Sequence, residues 1–568
     1  EKKEKGLKPI LEIIDKSPLF PPSYLSFARE VAHYYATDWF EILRLSIGSK
    51  GEIFPFIKEE LKPLPSKESE FIPYLCLSPS WERRWERYIA LLKENISQGR
   101  EILFIFPEWE AYAFLKEKIS SCFPGESAFF SSALTSRQRR KNLEKIIGGE
   151  AKIIAGTRSA IWLPITNLGM IVVEDIHSSS YKSPSHPRYF LPEVALIRGK
   201  VEKIPVVLSS PVPPIEYLYL MEKGEIREFT VNGSFNFPTI EVVNMRRENR
   251  RARQKGLSKY LIERMKERLD KGDNIALLVN RRGFAGYRVC KVCGYIQKCK
   301  VCDIPLSYHK PDRMVCHQCG GTEEVEEICP RCQASYTRER AIGTQKVEET
   351  LKEIFPGITI IRCDKDTRNI KLNAEKFPFI LVGTKMVKRV FMSGDIGLLG
   401  VINADTYLFR PDFRSSEKTF QFLGEWISLM EGKEVIIQSY HTEDFSVKYA
   451  LNLDWEGFYR EELERRKELF YPPFSHIFYL IITAGDSDKV KDTGVFLRNL
   501  LQSTIPQGVF CLGPSPVQRK GIKFTTQIML KSSSRDTLLG LLSMVREQRK
   551  NFARKGIRVN FDLFPLHA

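Results

Sequence analysis

The residues of this sequence whose types and spacing most clearly indicate a chemical function are its cysteines, which are spaced as metal ligands. Eight of the twelve lie between residues 290 and 332, in four pairs with two residues between the members of each pair. They are Cys290, Cys293, Cys299, Cys302, Cys316, Cys319, Cys329 and Cys332. The gap lets both thiolates of a pair reach one Zn²⁺ ion at about 2.3 Å, and a second pair completes the tetrahedron. The spacing therefore predicts two zinc sites, and the four pairs can be combined in three ways.

These zinc sites should be structural. Four thiolates leave no coordination position open for a water molecule, so the metal is not expected to hydrolyse anything. His309 and His317 lie among the cysteines and are alternative ligands, but with eight thiolates available we expect them on the surface or beside the ligands. Gly294 and Gly320 each follow the second cysteine of a pair, where a tight backbone turn favours glycine.

Short apolar runs surround the cysteine block and alternate with helical segments. They cover residues 102–106, 153–155, 170–173, 206–208 and 275–279 before it, and 358–361, 380–382, 399–402 and 435–437 after it. Continuous apolar strands separated by helices indicate parallel sheets covered on both faces. The cysteine block interrupts the second series, so it is an insertion. We predict an α/β fold of two parallel-sheet lobes, with this insertion in the second lobe, a helical N-terminal piece and a small α+β C-terminal domain.

The same patterns suggest domain boundaries. We place the helical piece at 1–52, a proline-containing linker at 53–72, the first lobe at 73–232, the second lobe at 233–285 and 333–450, the zinc module at 286–332 and the C-terminal domain at 451–568.

Composition restricts the class of partner. The 568 residues carry a formal charge of +17 and no apolar run long enough to cross a membrane, so we expect a cytoplasmic protein without a membrane partner. The surplus of cations favours nucleic acid, although a merely soluble basic surface is the alternative. Residues 246–259 and 136–145 hold the densest basic clusters. The chain begins at Glu1, which leaves open whether an N-terminal segment is missing.

Many short motifs occur in one consistent order. In the first lobe they are 156–160 (Gly-Thr-Arg-Ser-Ala), 167–173, 177–182 and 188–189; in the second they are 280–285 (Asn-Arg-Arg-Gly-Phe-Ala), 343–348, 364–367, 382–386, 403–406 and 411–414; and the C-terminal part adds 471–474 and 512–516. With the cysteine array, this order resembles the PriA family of primosomal replication-restart proteins, bacterial DNA helicases of superfamily 2.

The resemblance implies RecA-like lobes and a nested zinc pairing. Cys290, Cys293, Cys329 and Cys332 would hold one ion, and Cys299, Cys302, Cys316 and Cys319 the other. It implies that residues 1–52 are the helical remnant of an N-terminal DNA-binding domain. The partners implied are forked or single-stranded DNA, single-strand-binding protein and other primosome proteins. The DNA-binding residues implied are Arg158, Tyr181, Lys182, Arg188 and Tyr189, although the tyrosines can equally serve packing.

The motor of that family is altered here. Residues 77–85 stand where a glycine-rich loop should bind phosphate, yet no glycine occurs from 52 to 98. Pro79 removes a donor, Glu82 repels ATP, and Arg84, at the position of the lysine, is expected on the surface. The apolar residues Trp81, Trp85, Tyr88, Ile89 and Leu92 make a helical stripe instead.

Three further motifs depart from the family. The acidic motif reads Glu174-Asp175-Ile176-His177, with its two leading acids exchanged, and the Ser-Ala-Thr motif that couples the lobes reads Ser210-Pro211-Val212. No arginine occurs from 415 to 459, where the arginine finger should lie. Loss of such a finger costs roughly 10³ to 10⁵ in rate.

We therefore predict a replication-restart protein that binds fork-like DNA and helps assemble the replication machinery without helicase activity. It has no catalytic or ATP-binding residues in this interpretation, and two structural Zn²⁺ ions are its cofactors. An active ATP-dependent 3′-to-5′ helicase and a zinc-ribbon RNA-binding factor are the alternatives.

Overall fold

The computed structural model describes residues 20–47, 71–109, 113–248, 256–279, 289–290, 295–309, 313–337, 344–364, 367, 378–388 and 395–563. Two helices open it, α1 (Pro22–Tyr34) and α2 (Trp39–Ile47), as the helical N-terminal piece predicts. The apolar face of α1, with Phe27 and Val31, is buried. The Tyr24 hydroxyl donates to the carbonyl oxygen of Trp162 at 2.6 Å, so this piece packs on the first lobe.

The first lobe is a parallel sheet. Its elements are β1 (Pro73–Cys76), α3 (Trp81–Ser97), β2 (Glu101–Ile105), α4 (Ala113–Cys122), β3 (Ser127–Phe130), α5 (Ser136–Ile147), β4 (Ile153–Gly156), β5 (Leu168–Val173), α6 (Leu191–Glu202), β6 (Val206–Ser209), α7 (Ile215–Glu222) and β7 (Arg227–Glu228). The strand order is β3-β4-β2-β5-β6-β1-β7, and every pairing is parallel. Strands β2, β4 and β6 are buried along their whole length, which explains their continuous apolar sequences.

The second lobe is a second parallel sheet, interrupted by the cysteine module. The lobe starts with β8 (Thr239–Asn244), α8 (Lys259–Asp270) and β9 (Asn274–Leu278). The cysteine module then contributes five short strands, β10 (Val289–Cys290), β11 (Ser307–His309), β12 (Arg313–Val315), β13 (Thr322–Glu323) and β14 (Tyr336–Thr337). The lobe resumes with α9 (Thr344–Ile354), β15 (Thr359–Cys363), β16 (Phe379–Gly383), β17 (Ile396–Val401), α10 (Ser415–Ser428) and β18 (Glu434–Ser439). The order of the large sheet is β15-β16-β9-β17-β18-β8, while the module strands pair antiparallel as β10-β14 and β11-β12-β13.

The C-terminal domain is a small antiparallel sheet with helices. Two helices lead to it, α11 (Phe445–Leu451) and α12 (Trp455–Glu468), followed by β19 (His476–Ala484), α13 (Ser487–Gln502), β20 (Phe510–Leu512), β21 (Gln518–Lys520), β22 (Lys523–Ser532), α14 (Arg535–Arg554) and β23 (Arg558–Asp562). The strands follow the order β20-β22-β19-β23, with β21 paired to β22. The predicted fold class is therefore confirmed.

The apolar runs identified most strands of the two parallel sheets. Every run named above contains or overlaps an observed strand, whereas the interior strand β1 and the strands β3, β7 and β8 were not predicted. Strand β8 has an exposed or half-buried pattern because it lies at the edge of its sheet. The domain boundaries remain predictions, and most of the linker 53–72 lies outside the described residues.

A buried ionic network joins the two lobes to the helix before the C-terminal sheet. Glu417 on α10 lies 2.8 Å from the Arg466 guanidinium on α12 and 3.1 Å from Arg414. It also accepts from the backbone N–H of Ile215, at the start of α7 in the first lobe, at 3.0 Å. Glu216 of the same helix pairs with Arg414 at 2.7 Å. Burial opposes ionisation, but the two guanidinium groups hold the pKa of Glu417 below its usual value.

Candidate functional site

The side chain of Arg84, in the first turn of α3, bonds both the loop before α3 and the Glu174 carboxylate. The Arg84 guanidinium donates to Glu174 Oε1 from Nε at 3.0 Å and from a terminal nitrogen at 2.8 Å, and its other terminal nitrogen donates to the carbonyl of Ser78 at 2.6 Å. The Tyr88 hydroxyl donates to Glu174 Oε2 at 2.6 Å. Burial and the Glu174 carboxylate raise the pKa of Tyr88 well above its usual value, so the phenol keeps this proton.

The expectation that Arg84 is a surface residue is wrong. Only 3% of Arg84 is exposed, because its charge is neutralised internally by Glu174, which is fully buried. Burial opposes the charged form, but the Glu174 carboxylate raises the pKa of Arg84. The predicted apolar stripe is present: Trp81, Trp85, Tyr88 and Leu92 are buried, and the rings of Trp81 and Trp85 stack with centroids 6.2 Å apart. Ser80 is the N-cap residue, without a capping hydrogen bond from its side chain.

The second acid of the motif pairs across the cleft between the lobes. Lys388 Nζ, from the second lobe, lies 2.7 Å from Asp175 Oδ2 and 2.8 Å from Glu425 Oε1 on α10. Glu425 also lies 3.4 Å from His177 Nε2, whose Nδ1 is 2.8 Å from the Ser210 hydroxyl. We call Asp175, His177, Lys388 and Glu425 the interlobe cluster. Burial favours the neutral acids, yet Lys388 holds the pKa of Asp175 below its usual value and that of Glu425 well below.

Apolar packing continues this contact. Gly424 lies on α10, and a Cβ atom there would be 2.5 Å from Val212 Cγ1 in the first lobe and 3.2 Å from Leu453 Cδ2. Val212 is fully buried and stands where the family motif ends in threonine. The lost hydroxyl is therefore replaced by a close contact between the lobes.

The residues of this cleft do not fit Mg²⁺ and a nucleotide triphosphate. Two carboxylates that could ligate Mg²⁺ or polarise water are already paired, Glu174 with Arg84 and Asp175 with Lys388. A metal ion would have to displace a buried cation from each of them. In addition, the loop from 77 to 85 offers no glycine for an anion-binding turn.

Cysteines gather into two clusters, as their spacing predicts. The sulfur atoms of Cys299, Cys302, Cys316 and Cys319 lie within 4.8 Å of one another, and so do those of Cys290, Cys329 and Cys332. Cys293 and Gly294 lie outside the described residues. These groupings agree with the nested pairing for the seven described cysteines. Clustered thiolates are a donor set that suits Zn²⁺, so both clusters can hold a metal.

We call each pair of cysteines separated by two residues a knuckle. In the three described knuckles, the residue directly after the second cysteine has a left-handed backbone conformation. Gly320 has φ +79°, as expected, but Asp303 and Gln333 adopt φ +51° and +59° at the equivalent positions. Backbone N–H groups point back to the knuckles: that of Gly321 donates to Cys319 Sγ at 3.4 Å. Sequence reasoning identified the glycine but neither of the other two, although aspartate is enriched among non-glycine residues with positive φ, so that Asp303 offered a weak signal and Gln333 none.

The knuckle of Cys316 and Cys319 contacts the C-terminal domain. Between these cysteines, Gln318 donates to the Tyr471 hydroxyl at 2.8 Å, and the His317 carbonyl accepts from Gln527 at 3.1 Å. The Tyr471 hydroxyl donates to the carbonyl of Cys302 at 3.1 Å. His317 is thus beside the cluster and bonded to the C-terminal domain, and its Nδ1 is 2.8 Å from Gln518.

The five residues implied to contact DNA lie close together at the junction of the first lobe with β23. Lys182 Nζ is 2.6 Å from Asp562 Oδ1, and Arg188 Nε is 2.9 Å from Asp562 Oδ2. Arg158 donates to the carbonyl of Ser180 at 2.9 Å. Tyr181 and Tyr189 are buried, so neither ring is on the surface in this structure. Their assignment to DNA contact stays a prediction.

Fold and cleft together define the class: a protein of two parallel-sheet lobes whose interlobe cleft contains buried ion pairs. Family models match both ends of the chain: "Primosomal protein N C-terminal domain" covers residues 467–566, and "3'DNA-binding domain (3'BD)" covers residues 1–48. The replication restart protein PriA of Rickettsia felis is 30% identical over 481 residues, which are 82% of this chain and 74% of that protein. The chain belongs to the PriA replication restart family.

Other relatives are longer than this chain. The PriA proteins of Bacillus subtilis and Thermotoga maritima are each 32% identical over 84% and 82% of this chain, but the matches span only 62% and 63% of those proteins. Among solved structures, RecG bound to a three-way DNA junction matches 71% of this chain and 44% of its own, with 10% identity and a TM-score of 0.39. That likeness is too distant to extend the assignment. Among the described helices, none has the length and apolar character needed to cross a membrane.

Replacing Gly424 should show how tightly the lobes contact each other. Gly424→Ala places a Cβ atom against Val212, and such overpacking costs roughly 1–3 kcal/mol. Gly540→Ala is the matched control, because a Cβ atom on Gly540, in α14, would have no neighbour within 4 Å, and alanine there gains about 1 kcal/mol of helix propensity. Urea denaturation should therefore give a lower midpoint for Gly424→Ala than for Gly540→Ala. Equal midpoints would contradict the close contact.

Proposed function

We propose that the chain is a replication-restart protein that binds fork-like DNA and assembles partners without ATP-driven unwinding. The observation that carries the proposal is the interlobe cluster together with the Arg84–Glu174 pair. In the family motifs, the residues at positions 84, 174 and 175 take part in binding or hydrolysing ATP. In this chain, Arg84 pairs with Glu174, and Asp175 pairs with Lys388. The scaffold keeps the two lobes in contact, and the residues of the cleft that the structure describes include no glycine-rich loop or arginine finger to hold a triphosphate.

DNA binding is supported by family membership and by charge. The model that matches residues 1–48 is described as a 3′ DNA-binding domain, and the formal charge of the chain is +17. Binding needs cations and stacking surfaces but no ATP site. Forked or single-stranded DNA is the substrate class in this proposal, and single-strand-binding protein and other primosome proteins are its protein partners.

ATP hydrolysis separates this proposal from the active-helicase alternative. We expect the purified protein to show no DNA-stimulated ATP hydrolysis above that of the buffer. The reason is that residues 77–85 lack a glycine-rich phosphate-binding loop and residues 415–459 lack an arginine finger. Steady-state phosphate release, with and without forked DNA, measures this. Turnover of about one per second or faster, abolished by Arg84→Ala or Asp175→Asn, would refute the proposal.

Competition binding separates it from the RNA-binding alternative. At one stated salt concentration, forked DNA should displace a labelled fork at lower concentration than structured RNA of equal length does. Equal length keeps the non-specific phosphate contribution similar for the two competitors. Stronger displacement by RNA would favour a zinc-ribbon RNA-binding factor.

Two structural zinc ions also belong to the proposal, with Cys293 as the fourth ligand of the cluster at Cys290, Cys329 and Cys332. Metal analysis should find two ions per chain, and strong chelation should release both and loosen the second lobe. Cys316→Ser should lower the content to one ion and raise amide hydrogen exchange around Tyr471, since Gln318 of that knuckle bonds Tyr471. Cys122→Ser is the control, because Cys122 is exposed and remote from the clusters. One ion or none in the unaltered protein would refute the double site.

A further inference from the structure

A large cavity lies where the second lobe, the cysteine module and the helices α11 and α12 meet. Its volume is about 810 Å³. The carboxyl ends of β8 and β18 supply Arg246 and His441, and the cysteine module supplies Arg331. We call it the junction cavity. In open α/β sheets, ligands bind outside the carboxyl ends of strands, and this volume is within the range of small-molecule and nucleotide sites.

Two of the cations in the junction cavity are available. Within the ranges that the structure describes, Arg246 and Arg331 are exposed and neither has a carboxylate at ion-pairing distance. Two other cations are occupied, because Lys448 pairs with Glu443 at 3.1 Å and Arg465 with Glu461 at 2.8 Å. These pairs also neutralise two of the acids in the lining.

The remaining acid in the lining has a structural task. Asp444 is the N-cap residue of α11, and its Oδ1 accepts from the backbone N–H of Ser446 at 2.9 Å. It is therefore committed to the helix end. The lining residues contain four cations and three carboxylates, so their net formal charge is +1. The Asp444 carboxylate is partly offset by the N-terminal end of α11, which it caps.

Neutral His441 positions Arg246. A terminal nitrogen of Arg246 lies 2.9 Å from His441 Nδ1, and a guanidinium can only donate, so this ring nitrogen is the acceptor. Burial and the Arg246 charge lower the pKa of His441 to about 3, which keeps the ring neutral at physiological pH. The ring also packs edge-on against Phe409 with centroids 4.9 Å apart. The guanidinium is thus held in place without being neutralised.

Aromatic side chains form the walls between the two arginines. Tyr440 follows β18, while Phe445 and Tyr449 lie on α11. All three residues are half-buried. The faces of the Phe445 ring are covered within the protein, because the ring stacks on Phe458 with centroids 5.5 Å apart and the Arg465 guanidinium lies 4.1 Å from its centroid. Tyr440 and Tyr449 are therefore the rings considered for stacking. Aromatic faces beside unpaired guanidinium groups are the combination by which proteins bind single strands, since bases stack on rings and phosphates pair with arginine.

We propose that the junction cavity binds a segment of single-stranded DNA, with Arg246 and Arg331 on its phosphates and the rings of Tyr440 and Tyr449 on its bases. This rests on the proposed function as a DNA-binding protein but not on the state of the ATP cleft. The lining of this site includes none of the five residues at the junction with β23.

Fluorescent oligothymidylate provides the test. We expect Arg246→Gln and Arg331→Gln each to weaken binding, and the double variant to weaken it about tenfold or more. The slope of log K against log salt should fall by roughly 0.7 for each phosphate that the variant no longer neutralises. Arg460→Gln is the matched control, because Arg460 is a largely exposed arginine of α12 outside the cavity lining. Its affinity and slope should equal those of the unaltered protein.

Photocrosslinking gives a readout that does not depend on affinity. Oligonucleotides carrying 5-iododeoxyuridine should crosslink to peptides containing Tyr440 or Tyr449. If the unaltered protein binds DNA but the double variant retains its affinity and salt slope, or if crosslinks form only elsewhere, the junction cavity is overturned and the proposed function stands. If the unaltered protein binds neither oligothymidylate nor forked DNA, the proposed function falls and this site with it.

Discussion

Charge neutralisation of two adjacent buried carboxylates governs the cleft between the lobes. Glu174 and Asp175 follow β5 and are both buried. Isolated ionised carboxylates are costly to bury, so each needs a cation or must give up its charge. Arg84 from the same lobe supplies one cation and Lys388 from the other lobe supplies the second. Removing one partner of such a buried pair typically costs about 3–5 kcal/mol, because the remaining charge is left unpaired.

This solution has a mechanical consequence. A nucleotide-driven motor needs its lobes to separate and close as ligand arrives and leaves, which requires that the contact between them be weak without ligand. Here the contact is made by side chains that are always present. Lys388 joins Asp175 to Glu425, Val212 packs against Gly424, and Glu417 accepts from the backbone of Ile215. Three residues of α10, Glu417, Gly424 and Glu425, therefore take part in the contacts between the lobes.

Sequence patterns predicted the parts that depend on local chemistry. The thiolate spacing indicated the cysteine clusters, and apolar runs indicated most strands of the parallel sheets. The altered motor, inferred from missing glycines and arginines, stays a prediction. What could not be predicted depends on contacts between distant residues. Arg84 reads as a surface residue on an amphipathic helix until Glu174 is placed beside it, and Lys388 is 213 residues from Asp175 along the chain. The sequence did contain a sign of the interlobe pairing. Glu425 lies in the segment 415–459, which contains no arginine, so its carboxylate needs a cation from elsewhere in the chain.

Contacts between residues distant in the sequence also connect the cysteine module to the rest of the molecule. One knuckle, with Gln318, bonds the C-terminal domain through Tyr471, while the other carries Arg331 between Cys329 and Cys332 at the junction cavity. The conformation of a knuckle is determined by its ligand cysteines, so a bound metal would fix Arg331 relative to Arg246 on the lobe. A structural metal site could in this way determine the position of a cation that is distant from it in function. The contacts between α10 and the first lobe act on the same lobe, the one that carries Arg246.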